Sequence, residues 1–242
     1  MIEAVGVKPC RRCGTMEMTS GRCPNCMLKE PELIAIDPGP EESGWVRFMP
    51  NYELLRGRGY IVGFQHEPPG RLIECAIEPN ERIRARLMGA VPEFDINCDL
   101  AIEVITPYGK PVGGETFKTC EWIGVFCDRF KGRRQHRLSR PEINKWLLHS
   151  TSVKDTEIRR ALCDMWGGEK VAKGNKTAPG LLYAMSKHMW PALACAIAAA
   201  MRIEGENRKA ELEEVTLRRR KIAAATHRSG DPDAEEEAED EP

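Results

Sequence analysis

Apolar residues run without a break from Leu33 to Ile36, stop on a single acid, Asp37, and give way to the turn Pro38-Gly39-Pro40. A second apolar segment starts at Trp45. Short apolar runs bounded by Pro and Gly predict strands, here over 33–37, 44–50 and 59–65, and the short links between them predict a meander. A later run, Asp99-Leu-Ala-Ile-Glu-Val-Ile105, predicts a strand over 99–105 with one acid, Glu103, in its middle. Helical patterns occupy much of the rest. Residues 79–89 read as a helix capped by Asn80 and stopped by Gly89. Phe117, Trp122, Ile123, Val125 and Phe126 share helical spacing, so 114–130 is expected to be a helix with these residues in the core. A short edge strand is expected over 133–138. Ser139 with Glu142 three residues on predicts the start of the next helix. Another helix is expected over 153–166, ending at Gly167-Gly168, and the Gly- and Lys-rich stretch 168–180 reads as a loop. From Ser186 an alanine-rich helix runs to Met201, and the strongly charged 202–221 continues as an exposed helix or arm. Meander strands followed by strands separated by helices predict an α/β fold with a mixed sheet covered by helices.

Two acids stand out against this pattern. An ionised carboxylate in an apolar strand is costly unless something pairs with it. Asp37 closes one such strand and Glu103 interrupts another, so both are expected to face one cation. Further ligands must come from later in the chain. Asp155 opens a predicted helix beside Lys154, where an acid is also favoured by the helix dipole alone. His188 opens the alanine-rich helix beside Trp190 and reads either as a surface or core histidine or as a ligand.

Composition adds a compartment and a partner class. At 41% hydrophobic and 30% charged residues the chain falls among folded globular proteins. There is no run of 18 apolar residues and no basic-then-apolar start, so neither a membrane span nor a secretory signal is expected. Ten cysteines without such a signal point to a reducing compartment, with thiols free or bound to metal. Four of them, Cys10, Cys13, Cys23 and Cys26, form two Cys-x2-Cys pairs, each able to turn two thiolates onto one ion. A closed, structural Zn²⁺ site in a minimal ribbon is therefore expected over residues 1–30. The remaining six (75, 98, 120, 127, 163, 195) read as small core or surface residues. The formal net charge of −1 hides an asymmetry. Eight acids and no base lie between Asp231 and Glu241, and without them 36 bases face 29 acids, about +7. A basic body with an acidic tail fits a polyanion-binding protein. Lys131-Gly-Arg-Arg-Gln-His-Arg137, the loop lysines Lys170, Lys173 and Lys176, and Arg218-Arg-Arg-Lys221 are the basic clusters. Each reads equally as a solvated face. The tail reads as a disordered end.

Several blocks occur in a telling order. They are Asp37-Pro-Gly-Pro-Glu-Glu-Ser-Gly-Trp45, Ile102-Glu103 followed by Tyr108 to Gly124, Lys154-Asp155-x-x-Ile158-Arg159, and Pro179-Gly-x-Leu-Tyr183 leading into Ser186-Lys-His-Met-Trp-Pro-Ala-Leu-Ala194. Together, over roughly 33–200, they resemble the phage-type branch of RuvC-like Holliday-junction resolvases, within the ribonuclease H-like superfamily. The resemblance implies a five-stranded mixed sheet with helices on both sides, a homodimer, and Mg²⁺- or Mn²⁺-dependent phosphodiester cleavage of branched DNA. It implies that Asp37 and Glu103 are metal-binding acids and that His188 stands where the family places a C-terminal acid or histidine. The family pattern has a further acid where this chain has Pro191. Asp155 is then either the fourth ligand or, with Lys154, a phosphate contact.

The expected organisation is a zinc ribbon over 1–30, a nuclease domain over 31–203, a charged helical arm over 204–228 and a disordered acidic tail over 229–242. The expected activity is a junction-resolving, structure-selective endonuclease of DNA recombination, leaving 5′-phosphate and 3′-hydroxyl ends. Lys154 would contact the non-bridging phosphate oxygens. Its setting would be the cytoplasm and nucleoid of a bacterial or phage-infected cell. The ribbon would extend the DNA footprint or bind another protein. Three rivals remain: a ribonuclease H-like nuclease for hybrids, flaps or linear duplex, a non-catalytic nucleic-acid-binding or adaptor protein that retains the fold, and a zinc-ribbon interaction protein whose central domain is only scaffold.

Overall fold

The computed structural model describes residues 8–9, 16–17, 32–57, 68–88, 98–106, 109, 111–130 and 134–228. Near the N-terminus, β1 (Lys8–Pro9) and β2 (Met16–Glu17) pair antiparallel. The cysteines of the expected zinc ribbon lie outside the described residues.

The body is one mixed five-stranded sheet with flanking helices, as the resemblance implied. Its strands are β3 (Leu33–Asp37), β4 (Glu42–Pro50), β5 (Gly70–Pro79), β6 (Asp99–Val104) and β7 (Gln135–Ser139), in the spatial order β5-β4-β3-β6-β7. The meander β3-β4-β5 is antiparallel, and β6 and β7 extend it in parallel from β3. The helices are α1 (Tyr52–Gly57), α2 (Asn80–Leu87), α3 (Gly114–Arg129), α4 (Arg140–Leu148), α5 (Asp155–Met165), α6 (Glu169–Lys173) and α7 (Met189–Arg228).

Side chains alternate between the two faces of a strand, which divides the core cleanly. On one face Ile34, Ile36, Trp45, Leu100 and Ile102 pack against Ile83 and Leu87 of α2 and Phe126 and Cys127 of α3. The other face carries Leu33, Ala35, Val46, Phe48, Ala101 and Leu138, all fully buried. There Phe48 meets Trp166, just past α5, edge to face with ring centroids 6.4 Å apart. The start of α7 covers the same face: residues Ala192 to Ala200 are completely buried, and their small side chains let the helix lie close to the sheet. The chain divides into two compact units between Arg202 and Ile203. In the second unit the described residues continue as charged helix, with the pairs Lys209–Glu213 and Arg218–Glu214 one turn apart.

Five expectations are corrected. The third meander strand is Gly70–Pro79, whereas 59–65 falls outside the described residues. Among the described residues β5 has one partner, β4, and it carries charge at Arg71, Glu74 and the buried, Arg86-paired Glu78, so its apolar signal is weak. Asn80 does not cap α2; its side chain is drawn away to Gly39 and Ser43. Phe117 lies in the exposed first turns of α3, while Phe126 is buried at its far end. The stretch 168–180 contains the short helix α6, and the alanine-rich helix starts at Met189 rather than Ser186.

Candidate active site

Parallel pairing of β3 with β6 sets Ala35 beside Ala101 and Ile36 beside Ile102. One step further, the register brings Asp37 beside Glu103, on the same face of the sheet and on strands about 4.8 Å apart. Both acids stand at the carboxyl ends of their strands, the edge where open α/β sheets bind ligands. Asp37 is 8% exposed. Burial pushes its carboxyl above the usual range, against the pull of His188 and Arg140. Glu103 is pushed further, up to about 7, by burial first and by the charge of Asp37, with Arg140 opposing. Among the described residues its buried Oε2 has no hydrogen-bond partner.

Local structure explains why the acids are held so firmly. The turn after Asp37 is tied to the start of α2: Gly39 N donates to Ser43 Oγ at 3.1 Å, Ser43 Oγ donates to Asn80 Oδ1 at 2.5 Å, and Asn80 Nδ2 donates back to Gly39 O at 2.9 Å. All three residues are distant from the acids' own chemistry, and they fix the exit path of β3. His188 comes from the residue before α7, and its Nδ1 lies 2.9 Å from Asp37 Oδ2. Gly44 makes that approach possible. It pairs with Asp37 across β3–β4, and a Cβ there would sit 2.2 Å from the His188 carbonyl oxygen. Such a distance is impossible for a real side chain, so glycine is required for the loop to close on the strand.

Arg140 is the functional side chain that sequence reasoning missed. It begins α4 immediately after β7, the strand that pairs Leu138 with Glu103. Its Nε lies 2.8 Å from Glu103 Oε1 and its Nη1 lies 3.8 Å from Asp155 Oδ1. The available signal was its place: the first residue of a helix whose cap, Ser139, ends the strand beside Glu103. Asp155 contacts Arg140 and acts on both acids through its charge, but its side chain is 85% exposed. Lys154 precedes it as an exposed residue whose backbone N–H donates to Glu157 Oε2 at 2.9 Å. Beneath the acids, Cys195 of α7 is fully buried; burial, with the charges of Glu103 and Asp37, pushes its thiol well above its usual value.

Of the sequence-predicted residues, Asp37 pairs with His188, Glu103 pairs with the unforeseen Arg140, and Asp155 stands at the margin. Among the described residues no group of three or more His, Cys, Asp or Glu is gathered closely enough to hold a metal ion. The donors nevertheless suit one hard cation: two buried carboxylates share a face, and Glu103 Oε2 is an orphaned acceptor.

Cations surround the site on the side of α5 and α6. Arg159 and Lys173 lie over the ring of Trp190, at 5.0 and 5.7 Å from its centroid, two residues from His188. Arg160, Lys170, Lys176 and Lys187 are exposed nearby in the chain. Trp45 lies in the core, and Tyr108 falls outside the described residues. Among the described residues no helix is long and apolar enough to cross a membrane.

No protein-family profile and no curated protein matches the chain. Among solved structures it is similar to Thermus thermophilus RuvC, with 16% identity and a TM-score of 0.47 over 72% of this chain and 96% of that one. It is also similar to T. thermophilus RuvC in complex with Holliday junction substrate, with 16% identity and a TM-score of 0.43 over 71% and 93% of the two chains. Neither likeness assigns a role to a residue of this chain.

Proposed function

We propose that this protein is a ribonuclease H-like, divalent-metal-dependent endonuclease that cleaves branched DNA, as a junction resolvase of the phage type does. The observation that carries the reading is the β3–β6 register, which continues to set Asp37 beside Glu103: a buried acid and a largely buried one at the carboxyl ends of adjacent parallel strands, the second with an orphaned oxygen. Burial of two like charges is expensive, and a site that serves only stability has no reason to keep both. Asp37 and Glu103 Oε2 would hold Mg²⁺ or Mn²⁺. When bound, such an ion screens the phosphate's charge and acidifies water for attack.

The chain's own residues supply the rest. Asp37 holds the His188 ring through Nδ1, which leaves Nε2 to take a proton from the attacking water. Water adds to phosphorus, the 3′-oxygen leaves with the bonding pair, and the products are a 5′-phosphate and a 3′-hydroxyl. Arg140 offsets negative charge that would otherwise repel the phosphodiester. Lys154, Arg159 and the lysines of 170–187 offer phosphate contacts, which position a duplex without reading its sequence. Homodimer formation would place two such sites on the two strands of a junction. A Zn²⁺ held by Cys10, Cys13, Cys23 and Cys26 would brace an accessory module for DNA or for a protein partner.

Asp37→Asn is the deciding variant. It removes a charge with little change of shape, so cleavage of a mobile four-way junction should fall at least about a thousandfold in Mg²⁺, while junction binding by gel shift is retained. A variant that cuts normally rules out this site. An RNA–DNA hybrid, a flap and a linear duplex run in parallel decide between branched DNA and the other nuclease substrates.

One observation favours a second reading. Arg140 and His188 already partner both acids, as they would in a fold that binds DNA without cutting it. Junction binding with no cleavage in either Mg²⁺ or Mn²⁺ would establish that alternative.

A further inference from the structure

Arg140 lies between two carboxylates, Glu103 and Asp155. Its guanidinium contacts Glu103 at 2.8 Å, reaches Asp155 at 3.8 Å, and acts on Asp37 through its charge. Only 28% of its side chain is exposed, so solvent screens these interactions weakly. A guanidinium is a planar fork of donors that can contact two carboxylates at once. The two oxygens of Glu103 are therefore divided: Oε1 is held by Arg140, and Oε2 is the orphaned one. Asp155, the remaining carboxylate on that side, is mostly exposed and turned to the same guanidinium. The chain also has Pro191, not an acid, three residues after His188.

We propose that Arg140 is a resident cation that takes the place of a second metal, so that each chain holds a single divalent ion, between Asp37 and Glu103 Oε2. This rests on the reading that the two acids hold a divalent ion at all. The physical reason is charge economy. One divalent ion plus one guanidinium balances the three carboxylates of Asp37, Glu103 and Asp155. A second divalent ion would have to displace Arg140 from both partners or sit against its charge.

Mn²⁺ titration of the full chain, followed by electron paramagnetic resonance, tests this without any cleavage assay. Only sites lost in Asp37→Asn are counted, which discounts weak binding to the acidic tail. The wild-type chain should show one such site with the spectrum of an isolated ion. Arg140→Gln should gain a second site with a spin-coupled spectrum, and its first site should tighten roughly tenfold because a neighbouring positive charge is gone. Arg140→Lys retains the charge and should stay at one ion. Two coupled ions in the wild-type chain, or a single ion in a folded Arg140→Gln, overturn the proposal and leave the metal-dependent reading standing. No Asp37-dependent Mn²⁺ in the wild-type chain overturns both. Should Arg140→Gln fail to fold by circular dichroism, the wild-type and Arg140→Lys counts still decide the matter.

Discussion

Gly44 governs the site without touching it chemically. With no side chain, it admits the His188 backbone against β4, and His188 then reaches Asp37. Gly44→Ala would place a methyl group on the His188 carbonyl, and the strain should cost about 1–3 kcal/mol of stability. The larger effect should be on function, since the loop before α7 must retreat and carry His188 with it. Denaturant melts together with junction cleavage measure both effects. A variant that melts and cuts like the wild type would show that Gly44 has no such role. At this scale the residues differ in how readily they could be read. Asp37 and Glu103 were legible because a charge in an apolar strand breaks the pattern. Gly44 and Arg140 were not, because a glycine in a strand or an arginine at a helix start is ordinary until its neighbours are known.

The element that carries Arg140 has its own support. Glu142 accepts hydrogen bonds from Ser139 N at 2.7 Å and Ser139 Oγ at 2.6 Å, as the Ser-x-x-Glu spacing predicted. Ser139→Ala should destabilise the protein by about 1 kcal/mol. The same bonds hold the Glu142 carboxyl below its usual value, the Ser139 hydroxyl most of all. A depressed folded-state pKa contributes stability above the unfolded-state pKa, and that contribution is lost as pH falls through the folded-state value. Urea melts of wild type and Ser139→Ala should therefore differ near pH 7 and draw together as pH falls through the folded-state value of Glu142. A difference independent of pH would mean that Glu142 does not stabilise this helix start. Sequence patterns located α3, α4 and α5 well, because their caps and glycine stops are local. The third meander strand was misplaced, because an edge strand is defined by its partner and β5 carries little apolar signal of its own.

Across the molecule, charge separates into a basic body and an acidic end. Junction binding through the exposed bases of α5, α6 and the 170–187 stretch should weaken steeply with salt. About five or six phosphate contacts correspond to a slope of log K against log [salt] near −5. A slope near zero would exclude backbone recognition of DNA. The four N-terminal cysteines should bind one Zn²⁺ per chain, seen by metal analysis and lost in Cys23→Ser, while the thermal transition of the body persists. A wild-type protein free of zinc would remove the ribbon from this account.

The order of hydrophobic runs was enough to establish an α/β chain, to locate three of the five sheet strands closely, and to single out Asp37 and Glu103. Those are local properties: each follows from burial and hydrogen bonding within a few residues. Tertiary structure alone decided that the two acids share a face, that His188 closes on Asp37 past a glycine, and that Arg140 lies between Glu103 and Asp155. These relations join side chains far apart in the chain. Only parallel pairing of β3 with β6 and of β6 with β7, and the packing of the first turns of α7, brings them within reach.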